Sequence, residues 1–230
     1  MHPRNVCTFS QNCSVVGPNF RLLGVEFDCK LCMHEAVAEV VAACGWKLAS
    51  ILRTRLYHTD ADLIALFKSH ILSYIEYRTP AIAHASASVL APLDAIQRRF
   101  LRNIGVSDLD ALLHFNLGPL LARRDIAALG VIHRAALGGG PAQLRRMFPR
   151  SAPHLRPALR HCLQVEDLAL GLEQDYVKRS FFGRVRVYNL LPPEMVDTLP
   201  PVQRFQSALQ TVLKSEAAVG TVLWPDMYRS

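Results

Sequence analysis

Three arginines at positions 98, 99 and 102 are the residues whose type and spacing point most clearly to chemistry. On a helix at 100° per residue they fall on one side, opposite an apolar stripe. That stripe consists of Leu90, Leu93, Ile96, Phe100, Leu101 and Ile104. A guanidinium group binds phosphate through paired hydrogen bonds and stacks on bases. The pattern therefore predicts either a nucleic-acid-binding face or a solvated face that only lies opposite a core.

Three more arginines, Arg123, Arg124 and Arg134, lie in the next long helical segment and allow the same two interpretations. Arg123 and Arg134 are 11 residues apart, which places them within about 20° of each other on a helix surface. Phosphate binding by this set is one prediction. In the alternative, Arg123 or Arg124 pairs with a nearby carboxylate, either Asp94 or Asp125.

Other residue types give weaker indications of chemistry. Cys29 and Cys32, with Cys7 and Cys13, could supply four thiolates to zinc. The spacing from Cys7 to Cys13 is too long for a usual zinc knuckle, so isolated reduced thiols are favoured. The nine histidines form no recognisable pattern with a Ser or Cys nucleophile. The glycines at 138–140 follow a helix, which is the wrong context for a phosphate loop. The sequence predicts no metal and no cofactor.

The composition limits the class of protein. Lys and Arg number 26 against 19 Asp and Glu, for a formal charge of +7, and an excess of arginine favours a nucleic-acid partner. Half of the residues are hydrophobic, which excludes a mainly disordered chain. No secretory signal is apparent, and no apolar run reaches the roughly 18 residues that a membrane span needs. We therefore expect an intracellular protein, nuclear or cytoplasmic, without a membrane partner.

The periodicity of apolar residues predicts a mainly α fold. A short β-hairpin is expected within residues 1–33, with turns at Gly17-Pro18 and after Asp28. Helices are expected over 35–56, from Thr59 or Asp60 to about Pro80, and over 88–103, 108–115, 119–137 and 202–214. Gln97 points into an apolar arc and needs hydrogen-bond partners. Residues 181–188 are compatible with a strand, so the segment after 140 is expected to be irregular α/β.

Four sequence landmarks stand in a fixed order along the chain. They are FRLLGV at 20–25, IEYRTP at 75–80, LDAIQRRFLR at 93–102 followed by PLLARR at 119–124, and YNLLP at 188–192 with Phe205 and Leu209 behind it. Together they resemble the C-terminal part of reverse transcriptases from non-LTR (LINE-type) retrotransposons, over about residues 19–214. Tyr188 stands where that family usually has Trp.

The resemblance implies a division into three parts. Residues 1–33 would be a remnant of the palm, with its closing strands, and 34–140 a helical thumb-like domain. Residues 141–230 would be the irregular C-terminal segment. Leu23 and Gly24 would correspond to the primer-grip strand, or else Gly24 serves a bulge or turn. Thumb helices run beside the template–primer duplex, so the arginines at 98, 99, 102, 123, 124 and 134 would contact phosphates.

The catalytic part of that family is missing from the sequence. Its polymerases use an Asp-Asp pair and a further Asp to hold two Mg²⁺ ions, and this chain contains no Asp-Asp dipeptide. We therefore expect no polymerase activity from the chain alone, and Mg²⁺ only together with an intact palm. The expected partners are RNA or an RNA–DNA duplex, a separate polymerase domain, or a second copy. The alternative is a helical protein-interaction module that binds no nucleic acid.

Overall fold

A computed structural model describes residues 19–151, 161–169, 171, 174–197, 201–221 and 224–228. Within these residues a two-stranded antiparallel hairpin precedes a series of helices, which confirms the mainly α prediction. The elements are β1 Asn19–Leu22, β2 Val25–Asp28, α1 His34–Arg53, α2 Asp60–Phe67, α3 Ser73–Ile82, α4 Ala87–Ile104, α5 Asp108–Phe115, α6 Leu120–Ala136, α7 Ala142–Met147, α8 Asp175–Arg179, α9 Val185–Leu190, α10 Pro193–Val196 and α11 Val202–Val219. No helix in these ranges is both long and apolar enough to cross a membrane.

The hairpin turn lies at Leu23 and Gly24, between the two strands. The sequence predicts turns only before and after this region, at Gly17-Pro18 and after Asp28. Leu22 pairs with Val25 across the turn, while Leu23 has a φ of 49° and Gly24 a φ of 78°. Positive φ at both central positions is typical of a type I′ turn, which favours Asn-Gly. The turn expected at Gly17-Pro18 lies outside the described residues.

Leu23→Asn is expected to stabilise the protein by about 0.5–1 kcal/mol, because asparagine tolerates the left-handed conformation better than leucine does. Leu23 is 79% exposed, so the substitution removes little packing. The measurement is the free energy of unfolding from urea denaturation. Leu22→Asn makes the same chemical change at a strand position and is expected to give no gain. An equal response of the two variants would contradict the strained turn.

The second helical run contains one confirmed cap and one correction. Thr59 caps α2 in a capping box with Asp62, which decides between Thr59 and Asp60, the two starts that the sequence allows. Pro80 was predicted to end the run, but it lies inside α3, which continues to Ile82. Pro80 lacks an N–H, yet Ala83 still donates to the carbonyl oxygen of Thr79 at 2.9 Å. Glu76 and Pro80 are both exposed, so water can satisfy the freed carbonyl of Glu76.

The buried apolar side chains form two clusters. The first joins α1 to α4 and contains the stacked rings of Phe67 and Phe100, whose centroids are 4.4 Å apart. The second surrounds α6, α9 and α11 and contains Tyr188 and Phe205. Leu120, at the start of α6, belongs to the first cluster, whereas most of α6 belongs to the second. The boundaries at 33/34 and 140/141 stay a prediction.

The strand expected at residues 181–188 is wrong. Phe182–Arg184 forms a 3₁₀ turn, and α9 follows it directly. Val185 and Val187 suggest strand alternation, but residues 184, 185, 187 and 188 are the buried ones. That spacing buries one side of a helix. Packing against α6 therefore decides the conformation of a segment that is ambiguous by local sequence.

Candidate nucleic-acid interface

The orientation of α4 is fixed by its ends and by its apolar side. The hydroxyl oxygen of Ser86 accepts a hydrogen bond from the N–H of Val89 at its start, and Gly105, with a φ of 72°, ends it. The apolar side packs against α1. Gln97 is buried among these residues and donates to the carbonyl oxygen of Gly118 at 3.1 Å. Its Oε1 has no hydrogen-bond partner among the described residues, so only one end of the amide is satisfied.

Arg98, Arg99 and Arg102 consequently lie on the solvent side of α4, and all three are exposed. None of them forms an ion pair with any described residue. The Nε of Arg102 donates to the carbonyl oxygen of Arg98 at 3.3 Å within the same helix. The three uncompensated guanidinium groups form what we call the α4 arginine face. Cations near a helix C-terminus also interact favourably with the helix dipole.

Arg123 and Arg124 do have carboxylate partners. The Nε of Arg123 donates to Oε1 of Glu76, on α3, at 2.7 Å. Arg124 is only 7% exposed and lies 2.9 Å from Asp94, on α4, which is one of the pairings proposed from the sequence. These contacts fasten α6 to α3 and α4, so a structural role is supported for both. Phosphate binding by them stays a prediction.

Arg134 is exposed near the end of α6. Its carbonyl oxygen accepts the N–H of Gly139 at 2.9 Å. A Cβ built at Gly139 would be 3.1 Å from Cγ of Arg134, so the side chain lies over the glycine turn. Arg134 is therefore accessible to a partner, although it belongs to a different helix from the α4 arginine face.

Leu23 and Gly24 occupy the hairpin turn, where the hydroxyl of Tyr77 approaches the carbonyl oxygen of Leu23 at 3.5 Å. A Cβ at Gly24 would have no described atom within 4 Å. The glycine therefore serves the turn, and no close backbone approach requires it. The primer-grip assignment stays a prediction.

A buried pair of charges between Asp125 and Arg184 was not anticipated. The Nε and Nη2 of Arg184 lie 3.0 and 2.9 Å from Oδ1 of Asp125. Neighbouring positions of α6 thus pair in two directions, Arg124 with Asp94 and Asp125 with Arg184. A signal was present in the sequence, because Asp125 falls within the apolar arc of α6 at 100° per residue.

Tyr188, in the fourth sequence landmark, lies at the centre of the second cluster. Its hydroxyl is 3.1 Å from Nδ1 of His133, whose ring stacks on Phe205 at 4.1 Å between centroids. Its carbonyl oxygen is 2.9 Å from Nε2 of His161. Burial raises the pKa of the Tyr188 phenol. Burial also lowers the pKa of His161, although the hydrogen bond to Tyr188 opposes that shift. These contacts are a structural use of the two histidines.

Cys29 and Cys32 are exposed and form no disulfide with a described residue. Among the residues that the structure describes, no group of three or more His, Cys, Asp or Glu is placed to hold a metal ion. Cys7 and Cys13, which the zinc alternative also needs, lie outside those residues.

Comparison with models of protein families, with curated proteins and with solved structures finds no match to the chain. The resemblance to reverse transcriptases therefore depends on the four sequence landmarks.

Proposed function

We propose that the chain is a fragment or remnant of a retrotransposon RNA-directed DNA polymerase that binds an RNA or RNA–DNA duplex through the α4 arginine face. The observation that carries the proposal is the presence of three exposed guanidinium groups on one helix face, none paired with a described carboxylate. The Asp-Asp pair of the resembled polymerases is missing. The proposed activity is therefore binding, in support of a polymerase domain that lies outside these 230 residues.

Phosphate contacts explain why such a face would bind without reading sequence. Each arginine that neutralises a phosphate releases condensed counterions, so affinity falls steeply as the salt concentration rises. Guanidinium groups form paired hydrogen bonds with phosphate oxygens. The proposed complex is therefore expected to be salt-dependent and tolerant of nucleotide sequence.

The test is fluorescence anisotropy with a labelled RNA–DNA duplex at several salt concentrations. The triple variant Arg98→Ala, Arg99→Ala, Arg102→Ala is expected to bind at least about tenfold more weakly. In addition, the slope of log binding constant against log salt concentration should become shallower by about one unit for each phosphate contact that is removed. A matched control replaces three other exposed arginines with alanine, namely Arg145, Arg146 and Arg204. Absence of binding at low salt, or an equal loss in both triple variants, would refute the proposal.

A helical protein-interaction module is the second candidate, and one observation favours it. Trp46, Leu56 and Tyr57, near the end of α1, are 66%, 86% and 85% exposed. Large exposed apolar side chains are common in protein-binding surfaces. Dimerisation that increases with protein concentration in sedimentation, together with weak, salt-insensitive nucleic-acid binding, would favour this candidate over the first.

A further inference from the structure

A second positively charged site lies away from the α4 arginine face. It is a cavity of about 240 Å³ beside the start of α4, between α6 and the segment that contains α8. Its charged lining residues within the described chain are Arg124, Asp125, Lys178, Arg179 and Arg184. Four basic side chains but only one carboxylate therefore line the described part of the cavity.

Two of these cations are already neutralised. Arg184 pairs with Asp125, and Arg124 pairs with Asp94. Lys178 and Arg179 form no ion pair with any described residue. The Nε of Arg179 donates to the carbonyl oxygen of His84 at 3.1 Å, which anchors that side chain beside the cavity. The lining therefore keeps an excess of positive charge.

Two further features favour an anion in this cavity. The buried side chain of Arg124 has a terminal nitrogen, Nη1, without a hydrogen-bond partner among the described residues. Leaving a buried charged donor unsatisfied is unfavourable, and a small movement of this side chain toward the cavity would let a bound anion accept its hydrogen bond. Ala87, the first residue of the 18-residue helix α4, also lines the cavity. Helix N-termini attract anions through their free N–H groups and the helix dipole.

We propose that this cavity binds a phosphate group. Arginine, lysine and a helix N-terminus are the groups that proteins use to hold phosphate oxygens. The cavity is smaller than the roughly 300–1,000 Å³ of most small-molecule sites, which fits one or two phosphate groups rather than a large cofactor. The proposal does not depend on the α4 arginine face or on the resemblance.

The phosphate group has two possible sources, a nucleic-acid strand or a free phosphate compound. Leu121 lines this cavity and also a neighbouring cleft that contains Arg98. The two depressions therefore adjoin, and a strand bound at Arg98 would need to cross only Leu121 to reach the cavity. A free phosphate compound would need only the cavity.

The test is isothermal titration of the full chain with inorganic pyrophosphate. Ala87→Glu places a carboxylate at the cavity and is expected to weaken binding by about tenfold or more, as is Lys178→Ala. Acidic residues are favourable in the first turn of a helix, so Ala87→Glu should leave the Tm of the ligand-free protein unchanged or raised. Ala142→Glu is the matched control, because it makes the same change at the exposed first residue of α7. It should bind pyrophosphate like the parent protein.

Lack of saturable pyrophosphate binding, or indistinguishable affinities for the parent and Ala87→Glu, would overturn the proposal. A labelled oligonucleotide separates the two sources. Weaker oligonucleotide binding by Ala87→Glu would indicate a strand phosphate, whereas loss of pyrophosphate binding alone would indicate a free phosphate compound. The triple arginine variant should still bind pyrophosphate, so failure of the proposed function and failure of this site give different results.

Discussion

Replacing Arg184 with alanine is expected to destabilise the protein by about 3–5 kcal/mol, since it removes the buried cation that pairs with the buried carboxylate of Asp125. The side chains of Arg184 and Asp125 are 11% and 6% exposed, so water can replace little of the lost interaction. Two nitrogens of the guanidinium group lie within 3.0 Å of one oxygen of Asp125. Loss of these charge-assisted hydrogen bonds also separates α6 from the turn before α9.

The measurement for Arg184→Ala is the free energy of unfolding from urea denaturation. Arg186→Ala is the matched control, because Arg186 is exposed and lies two residues further along. A change within about 0.5 kcal/mol is expected there. The double variant Arg184→Met, Asp125→Leu removes both charges and is expected to be more stable than Arg184→Ala. Similar losses for Arg184→Ala and Arg186→Ala would show that the buried pair is not a main source of stability.

Gly183→Ala is expected to lower the free energy of unfolding by about 2 kcal/mol or more, because the new methyl group has no space. A Cβ at this position would lie 1.8 Å from the carbonyl oxygen of Lys178 and 2.6 Å from its carbonyl carbon. Both atoms belong to the backbone, so no side-chain rotation can relieve the overlap. The end of α8 or the 3₁₀ turn at Phe182–Arg184 must move instead.

Gly45→Ala is the control for that substitution and is expected to act in the opposite direction. Gly45 lies in the middle of α1, and a Cβ there would have no described atom beyond its own helix backbone within 4 Å. Alanine in a helix interior is favoured over glycine by about 0.5–1 kcal/mol. Thermal unfolding of the two variants should therefore give a lower Tm for the first and a higher Tm for the second. A decrease of equal size in both would contradict the proposed steric cause.

Local pattern was enough to predict most of the first six helices, the start of α11 and the exposed arginines at 98, 99 and 102. The steps of three and four in α4 gave its limits to within one residue, and they placed Arg98, Arg99 and Arg102 on the outside. Thr59 and Asp60 were both predictable as caps because they precede an apolar stripe, and the structure selects Thr59. The spacing of apolar residues determines the limits of α4, and a hydrogen bond between residues three positions apart determines the cap of α2.

Features that depend on distant contacts could not be predicted in this way. Pro80 lies inside α3, where the residue whose carbonyl it leaves free, Glu76, is exposed, and exposure is a property of the folded chain. Residues 181–188 became helical through contact with α6. The phosphate cavity combines Ala87 with Lys178, which are 91 positions apart. No spacing rule relates residues at that separation.

The two-way pairing along α6 also has a consequence for synthesis of the chain. Arg124 pairs with Asp94, which is synthesised before it. Asp125 pairs with Arg184, which is synthesised 59 positions later. The apolar side of α6 likewise waits for Phe205 and Leu209 of α11. A nascent chain whose α6 has just emerged from the ribosome would therefore expose the apolar side of this helix to chaperones. The residues that bury that side lie in the C-terminal third of the protein and are synthesised later.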